Sequence, residues 1–181
     1  MIQTCIFSEE ELLEVQQLVR GLRYTNMNGD PGQVLYLSYI PGWITQRLTP
    51  EGYESKISFA RLNTSELDTK FRVHADSRTR DAKGQLFYPD FACVFYPFDT
   101  PGHGTGLFRH KVLGDQCDKR KARAFTYDDG NWEMYDWYEG KENTMFAYES
   151  NKYHCRYPYQ SFGLTKEDAR IVIVNFMTKK E

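Results

Sequence analysis

The sequence predicts a mainly β fold, a sandwich or barrel of short strands with one helix at its N-terminal end. Short β-prone runs follow one another at close spacing, each bounded by turn residues. The aromatic content is high, with 12 Phe, 13 Tyr and 3 Trp, and these side chains suit a pleated, half-buried surface. A clear helical period appears near the N terminus, where Leu12, Val15, Val19 and Leu22 recur along one face.

That period predicts an amphipathic helix over 9–22. Ser8 with Glu11 three residues on forms a capping box, and Glu9, Glu10 and Glu11 place negative charge at the helix N terminus. Residues 26–32 are rich in turn formers, and Val34–Tyr39 reads as a strand. Residues 41–69, with Pro41-Gly42 and Thr49-Pro50, are ambiguous and leave room for one short helix. Lys70–Ala75 is a strand, 77–90 a polar loop and Phe91–Pro97 a strongly β-prone run. Asp99–Gly104 reads as a turn before a strand over Gly106–His110. Residues 111–131 are polar. Trp132–Trp137 and Asn143–Tyr148 are strands on either side of Gly140, and a turn at Glu149-Ser150-Asn151 leads into a short strand at His154. Ala169–Phe176 is the clearest strand of all. Without a repeat, low-complexity tract or linker, 1–181 reads as one domain.

Composition narrows the functional classes. With 23 basic and 25 acidic residues the net charge is −2, so no general attraction to nucleic acid or anionic membranes is expected. No long apolar run or signal peptide is apparent, which predicts a cytoplasmic protein. Cys5, Cys93, Cys117 and Cys155 are scattered without a C-x-x-C pair and read as reduced thiols. Residues Asn63-Thr64-Ser65 match a glycosylation sequon, which carries little meaning in that setting.

The chemistry centres on Phe71–Ser77. His74 and Asp76 are two apart on a predicted strand, so they share one face. An imidazole beside a carboxylate is half of a metal site; alone it is equally a His and an Asp at the end of an exposed strand. His154, on its own short strand, is the candidate to complete it. Two histidines and one carboxylate on one side of a metal leave the remaining positions open, the facial arrangement of non-haem Fe(II) oxygenases.

With the downstream pieces added, the sequence resembles the Fe(II)/2-oxoglutarate-dependent oxygenases, in particular their prolyl-4-hydroxylase-like branch. The pieces are His74-Ala75-Asp76, the run Gly104–Phe108, the late His154, and Arg170 opening the strand Ile171–Phe176. The resemblance covers 70–177, with 1–69 supplying a helix and outer strands. It implies a double-stranded β-helix (jelly-roll, cupin-like) core with the N-terminal helix against one sheet. It implies Fe(II) held by His74, Asp76 and His154, with 2-oxoglutarate and dioxygen as co-substrates. Arg170 would grip the far carboxylate of 2-oxoglutarate, since the planar guanidinium fork matches a carboxylate. Arg170 comes sixteen positions after His154, longer than is usual for the family, so Cys155–Ala169 is expected to be a loop and Arg156 is the reserve anchor. Tyr36 and Tyr96 are candidates to line the co-substrate pocket; each is also readable as a core aromatic with a polar tip. The implied activity is hydroxylation of a small-molecule or peptidyl substrate.

Other signals carry less. His103 sits in a Pro-Gly context and reads as surface, and His110 with Arg109 reads as a group at the cleft mouth, Arg109 being a candidate substrate contact. The run Pro101–Gly106 lacks the Gly-Lys-Ser/Thr of a phosphate loop and reads as a hairpin turn. The basic cluster 118–123 reads as a solvated loop. Two rival functions remain at this level: a cupin-like metalloenzyme without 2-oxoglutarate, which would not need Arg170, and a non-catalytic jelly-roll binding module. Specificity is expected in 77–90 and 111–131.

Overall fold

The computed structural model of the chain describes residues 1–26, 36–66, 73–76, 78–81, 83–118 and 130–180. Helix α1 spans Glu9–Gly21, and its capping box is formed: Ser8 Oγ accepts from Glu11 N–H, and Glu11 Oε2 accepts from Ser8 N–H. Its buried face is Leu12, Val15 and Val19. A second helix, α2 (Gly42–Arg47), and a long strand, β4 (Tyr53–Asn63), occupy the stretch that sequence pattern left ambiguous.

Among the described residues the strands form two main sheets. The larger runs in the order β1 (Ile2–Thr4), β10 (Thr144–Glu149), β7 (Phe91–Tyr96), β12 (Arg170–Lys179), β4, β3 (Tyr36–Tyr39), β2 (Thr25–Asn26). The smaller has β8 (Thr100–His110) between β11 (His154–Tyr157) and β9 (Trp132–Gly140). A short ribbon of β5 (Thr79–Arg80) and β6 (Leu86–Phe87) interrupts the expected polar loop. The neighbours in both main sheets are antiparallel. This is the double-stranded β-helix expected above.

The faces of the larger sheet separate cleanly. One carries Ala60, Leu62, Cys93, Phe95, Met145, Ile171 and Ile173 and packs on α1 through Leu12, Val15 and Val19. Full burial of each such aliphatic side chain stabilises by roughly 1.5–3 kcal/mol. The other carries Val94, Tyr96, Phe146, Tyr148, Val172 and Phe176, which meet Leu107 of the smaller sheet inside the roll. Behind the smaller sheet, Val73, Ala75, Phe108, Cys117, Tyr153 and Cys155 form a third cluster.

Two expectations about local structure are corrected. Thr100–Gly104 is not a turn: β8 runs unbroken from Thr100 to His110, with a register shift between Thr100 and Gly104. Gly104 serves close approach, whereas Gly102 has open space around it and takes the positive φ of +71° that favours glycine. A Cβ on Gly104 would run into the carbonyl of Tyr138 on β9. The segment Cys155–Ala169 is not all loop, because Cys155–Tyr157 continue β11. Of the predicted HxD strand 70–75, residues 70–72 lie outside the described residues; Val73 and His74 are bridge residues, His74 pairing with His154. Most of the basic cluster 118–123 also lies outside them, as do residues 34–35 of the predicted strand 34–39.

Candidate metal centre

His74 and His154 are directly opposed across an antiparallel bridge. Each donates its backbone N–H to the other's carbonyl, at 3.0 and 2.8 Å. Directly opposed residues project to the same face, so the two imidazoles meet inside the roll with ring centroids 4.3 Å apart. Asp76 lies two residues beyond His74 and so points the same way. Its N–H donates to the carbonyl of Ser150 at 2.7 Å, which extends the pairing by one more rung. Val73 and Ala75, the alternate residues, are fully buried on the opposite face.

The three side chains converge. Asp76 Oδ2 is 3.1 Å from His154 Nε2, and Asp76 Oδ1 is 3.7 Å from His74 Nε2. One potential ligand atom from each residue lies within 4.8 Å of those of the other two. Asp76 and His154 are buried and His74 is half-buried, so the cluster opens on the His74 side. The tautomer of His154 follows from its other nitrogen. Nδ1 is 3.0 Å from the carbonyl of Lys152, which can only accept; the tautomer with the proton on Nδ1 satisfies this contact and is the one in which Nε2 would present a lone pair to a metal.

Arg170 occupies the interior as its place at the head of β12 dictates. It is 4% exposed. Its Nη1 donates to Asn63 Oδ1 at 3.2 Å, and its guanidinium lies 5.7 Å from the centroid of Tyr96. Its Nε is buried without a hydrogen-bond partner, and among the described residues no carboxylate pairs with it. A buried cation without a counter-ion among the described residues is costly unless an anion joins it. Arg156 shares a face with His154 on β11 and donates to the carbonyl of Tyr159 at 2.5 Å.

The remaining candidates divide. Tyr96 is buried, with its hydroxyl 2.7 Å from Thr105 Oγ1, a link between the two sheets. The backbone of Tyr36 pairs with Leu62; its side chain lies outside what the structure describes. Arg109 is exposed and lies over the ring of Tyr135. Two histidines depart from expectation. His103 is half-buried on β8 against Phe162 rather than in a surface turn, and burial together with the charges of Arg170 and Arg156 holds its imidazole below the usual range. His110 is buried against Trp132, and its Nδ1 accepts from Val112 and Leu113 N–H. It shapes a turn rather than the cleft mouth. Asn175 is likewise structural, bonding Leu48, Thr49 and Ser55 on the α1 side of the sheet.

Sequence reasoning missed Asn63. It looked like a sequon residue, yet it is fully buried and faces Arg170 in the register of β4 with β12. Tyr148 was also missed: its ring lies 4.6 Å from His154, and burial with the Asp76 charge pushes its phenol far up.

No protein-family model and no curated protein sequence matches the chain. Solved structures do. HygX from Streptomyces hygroscopicus, with nickel and 2-oxoglutarate bound, superposes with a TM-score of 0.59 at 13% identity, over 99% of this chain and 82% of that one. The chain shares its fold with HygX. The iron-bound HygX structure gives a TM-score of 0.58 at 8% identity, and a HygX complex with nickel, 2-oxoglutarate and hygromycin B gives 0.57 at 11%, each with the same coverage. Among the described residues no helix is long and apolar enough to cross a membrane.

Proposed function

We propose that the protein is an Fe(II)/2-oxoglutarate-dependent dioxygenase. One observation carries this reading: a His-Asp-His cluster and a buried arginine without an anionic partner among the described residues face the same interior of a double-stranded β-helix. The donor set suits Fe(II), which takes mixed nitrogen and oxygen ligands and keeps positions open. A cupin-like metalloenzyme that does not use 2-oxoglutarate would have no need of the anion-seeking Arg170.

In this reading His74, Asp76 and His154 hold the metal. When bound, iron with 2-oxoglutarate and dioxygen supplies oxidative decarboxylation, giving succinate and carbon dioxide, coupled to oxidation of a substrate C–H bond. The Lys152 carbonyl keeps the His154 lone pair aimed at the metal. Arg170 grips the far carboxylate of 2-oxoglutarate and is itself oriented by Asn63. Arg156, on the same face as His154, is the reserve anchor, and Tyr96 walls the co-substrate side beneath Arg170. Tyr148, Phe146 and Leu107 keep water from the buried side of the centre.

The finer reading is hydroxylation of a small-molecule or peptidyl substrate, on the prolyl-hydroxylase-like pattern of motif order, in a reducing cytoplasmic setting that four free thiols support. Arg109 is the candidate substrate contact. Anaerobic addition of Fe(II) and 2-oxoglutarate is expected to give a weak visible charge-transfer band, and admission of air to give succinate. A protein that shows neither is not an oxygenase of this kind.

A further inference from the structure

Three aromatic rings make a continuous stack that starts at His154. Tyr148 is tilted against the His154 imidazole at 4.6 Å between centroids. Phe146 follows at 5.2 Å from Tyr148, and Tyr138 stacks on Phe146 at 3.8 Å with an interplanar angle of 24°. Tyr148 and Phe146 are buried at the floor of a cleft of about 230 Å³, whereas Tyr138 is half-buried at its side with Tyr135 and Asp136. At this outer end the Tyr138 hydroxyl donates to Asp136 Oδ2 at 2.5 Å, a short charge-assisted bond.

The chemistry of such a pair is specific. A phenol gives up an electron readily only when its proton can leave at the same time, and a carboxylate already in hydrogen-bond contact is the acceptor for that proton. Asp136 also holds the phenol up to about 12, so the ring keeps its proton until an electron departs. Neither residue has a role in the reaction proposed above.

We propose that Tyr138 is a protective one-electron donor to the metal centre, connected to it through Phe146, Tyr148 and His154. The inference rests on the oxygenase reading. When oxygen and 2-oxoglutarate are consumed with no substrate in place, two oxidising equivalents are left at the centre. One electron passes inward from Tyr138, and its phenolic proton crosses to Asp136 Oδ2. The products at this end are a neutral tyrosyl radical and a protonated Asp136; no bond between heavy atoms forms or breaks. Phe146 bridges the two tyrosines without being oxidised itself. An external one-electron reductant of the ascorbate class reaches Tyr138 through the cleft and restores the electron, and Asp136 returns the proton. A second cycle discharges the second equivalent. Each electron arriving at the centre is matched by one solvent proton, and the oxygen atom leaves as water.

The test mixes Fe(II)-loaded protein and 2-oxoglutarate with oxygen, without substrate, and freezes the sample for electron paramagnetic resonance. A tyrosyl signal is expected in the wild type. It is lost in Tyr138→Phe, which keeps the stacked ring, weakened in Asp136→Asn, and bleached by ascorbate. An unchanged signal in Tyr138→Phe overturns the proposal, as does a radical carried by Trp132 or Tyr153, which pair behind the smaller sheet at 4.9 Å. Succinate is measured in the same samples, and its absence from every variant counts against the oxygenase reading alone. A second measurement needs no iron. Flash-generated ruthenium(III) tris-bipyridine oxidises the metal-free protein, and the long-lived tyrosyl absorbance is expected to disappear in Tyr138→Phe. Equal yields in the two proteins overturn the proposal.

Discussion

Arg170 and Asn63 stand opposite one another on β12 and β4, and among the described residues the buried guanidinium donates to the neutral amide oxygen of Asn63 and to no carboxylate. In the proposed reading the pair is the anion site, with Asn63 orienting the guanidinium.

Arg170→Met is therefore expected to weaken 2-oxoglutarate binding to the Ni(II)-loaded protein about tenfold to a hundredfold, matching the ~1.5–3 kcal/mol of a hydrogen bond to a charged group. Calorimetric titration measures it. Asn63→Leu should cost less, since it disturbs orientation and leaves the charge. An unaltered affinity in Arg170→Met would transfer the anchor to Arg156.

The opposed pair His74 and His154 closes with Asp76 into one cluster. Removing any of the three as alanine should weaken Fe(II) binding by at least about a hundredfold, because loss of an outer-shell partner alone costs 10–100-fold. Competition with a colourimetric chelator reads this directly. Retention of wild-type affinity by His74→Ala would dismiss the triad.

His103 gives a pH dependence. Its imidazole is held low by burial and by Arg170 and Arg156, so the folded protein binds fewer protons there than the unfolded chain. Its contribution to stability is then full above the unfolded value, near about 6.5, and is lost as the pH falls through the lower folded value. Thermal unfolding across this range should show a steeper acid loss for wild type than for His103→Gln. A carboxylate bound at Arg170 offsets the cationic field, so 2-oxoglutarate should move the His103 titration upward in a proton NMR series. A stationary titration would place the co-substrate elsewhere.

Gly104 tests the approach of β9 to β8. Alanine there meets the Tyr138 backbone, which has no free rotamer to retreat into. A loss of about 1–3 kcal/mol or more is expected in denaturant unfolding, as for other overpacked sites. The wild-type stability in Gly104→Ala would show that the strands can separate there without cost.

What could be read from the sequence was whatever is local. Helix α1 announced itself through Ser8, Glu11 and its apolar face, and β12 through a β-branched run buried on both sides. The triad was legible because i, i+2 geometry on a strand is local and His154 was one of only four histidines. Strand β4 was not legible. Its apolar side switches along its length, from Ile57 and Phe59 toward the roll interior to Ala60 and Leu62 beneath α1, so no single face alternates throughout. The glycines of β8 imitated a turn because close backbone approach and tight turning call for the same residue. The contact of Asn63 with Arg170 was invisible, since it exists only through the register of two strands distant in sequence.

The position of β12 has a wider consequence. It lies between β7 and β4, with Ile171 and Ile173 in the core beneath α1 and Arg170, Val172 and Phe176 toward the roll interior. A replacement anywhere along it disturbs either the foundation or the chamber, so this strand has little freedom to drift. Strand β9, by contrast, is an edge strand with Met134, Tyr135 and Trp137 partly open to solvent. A lineage that changed its chemistry of choice would be expected to rewrite β9 first and leave β12 nearly untouched.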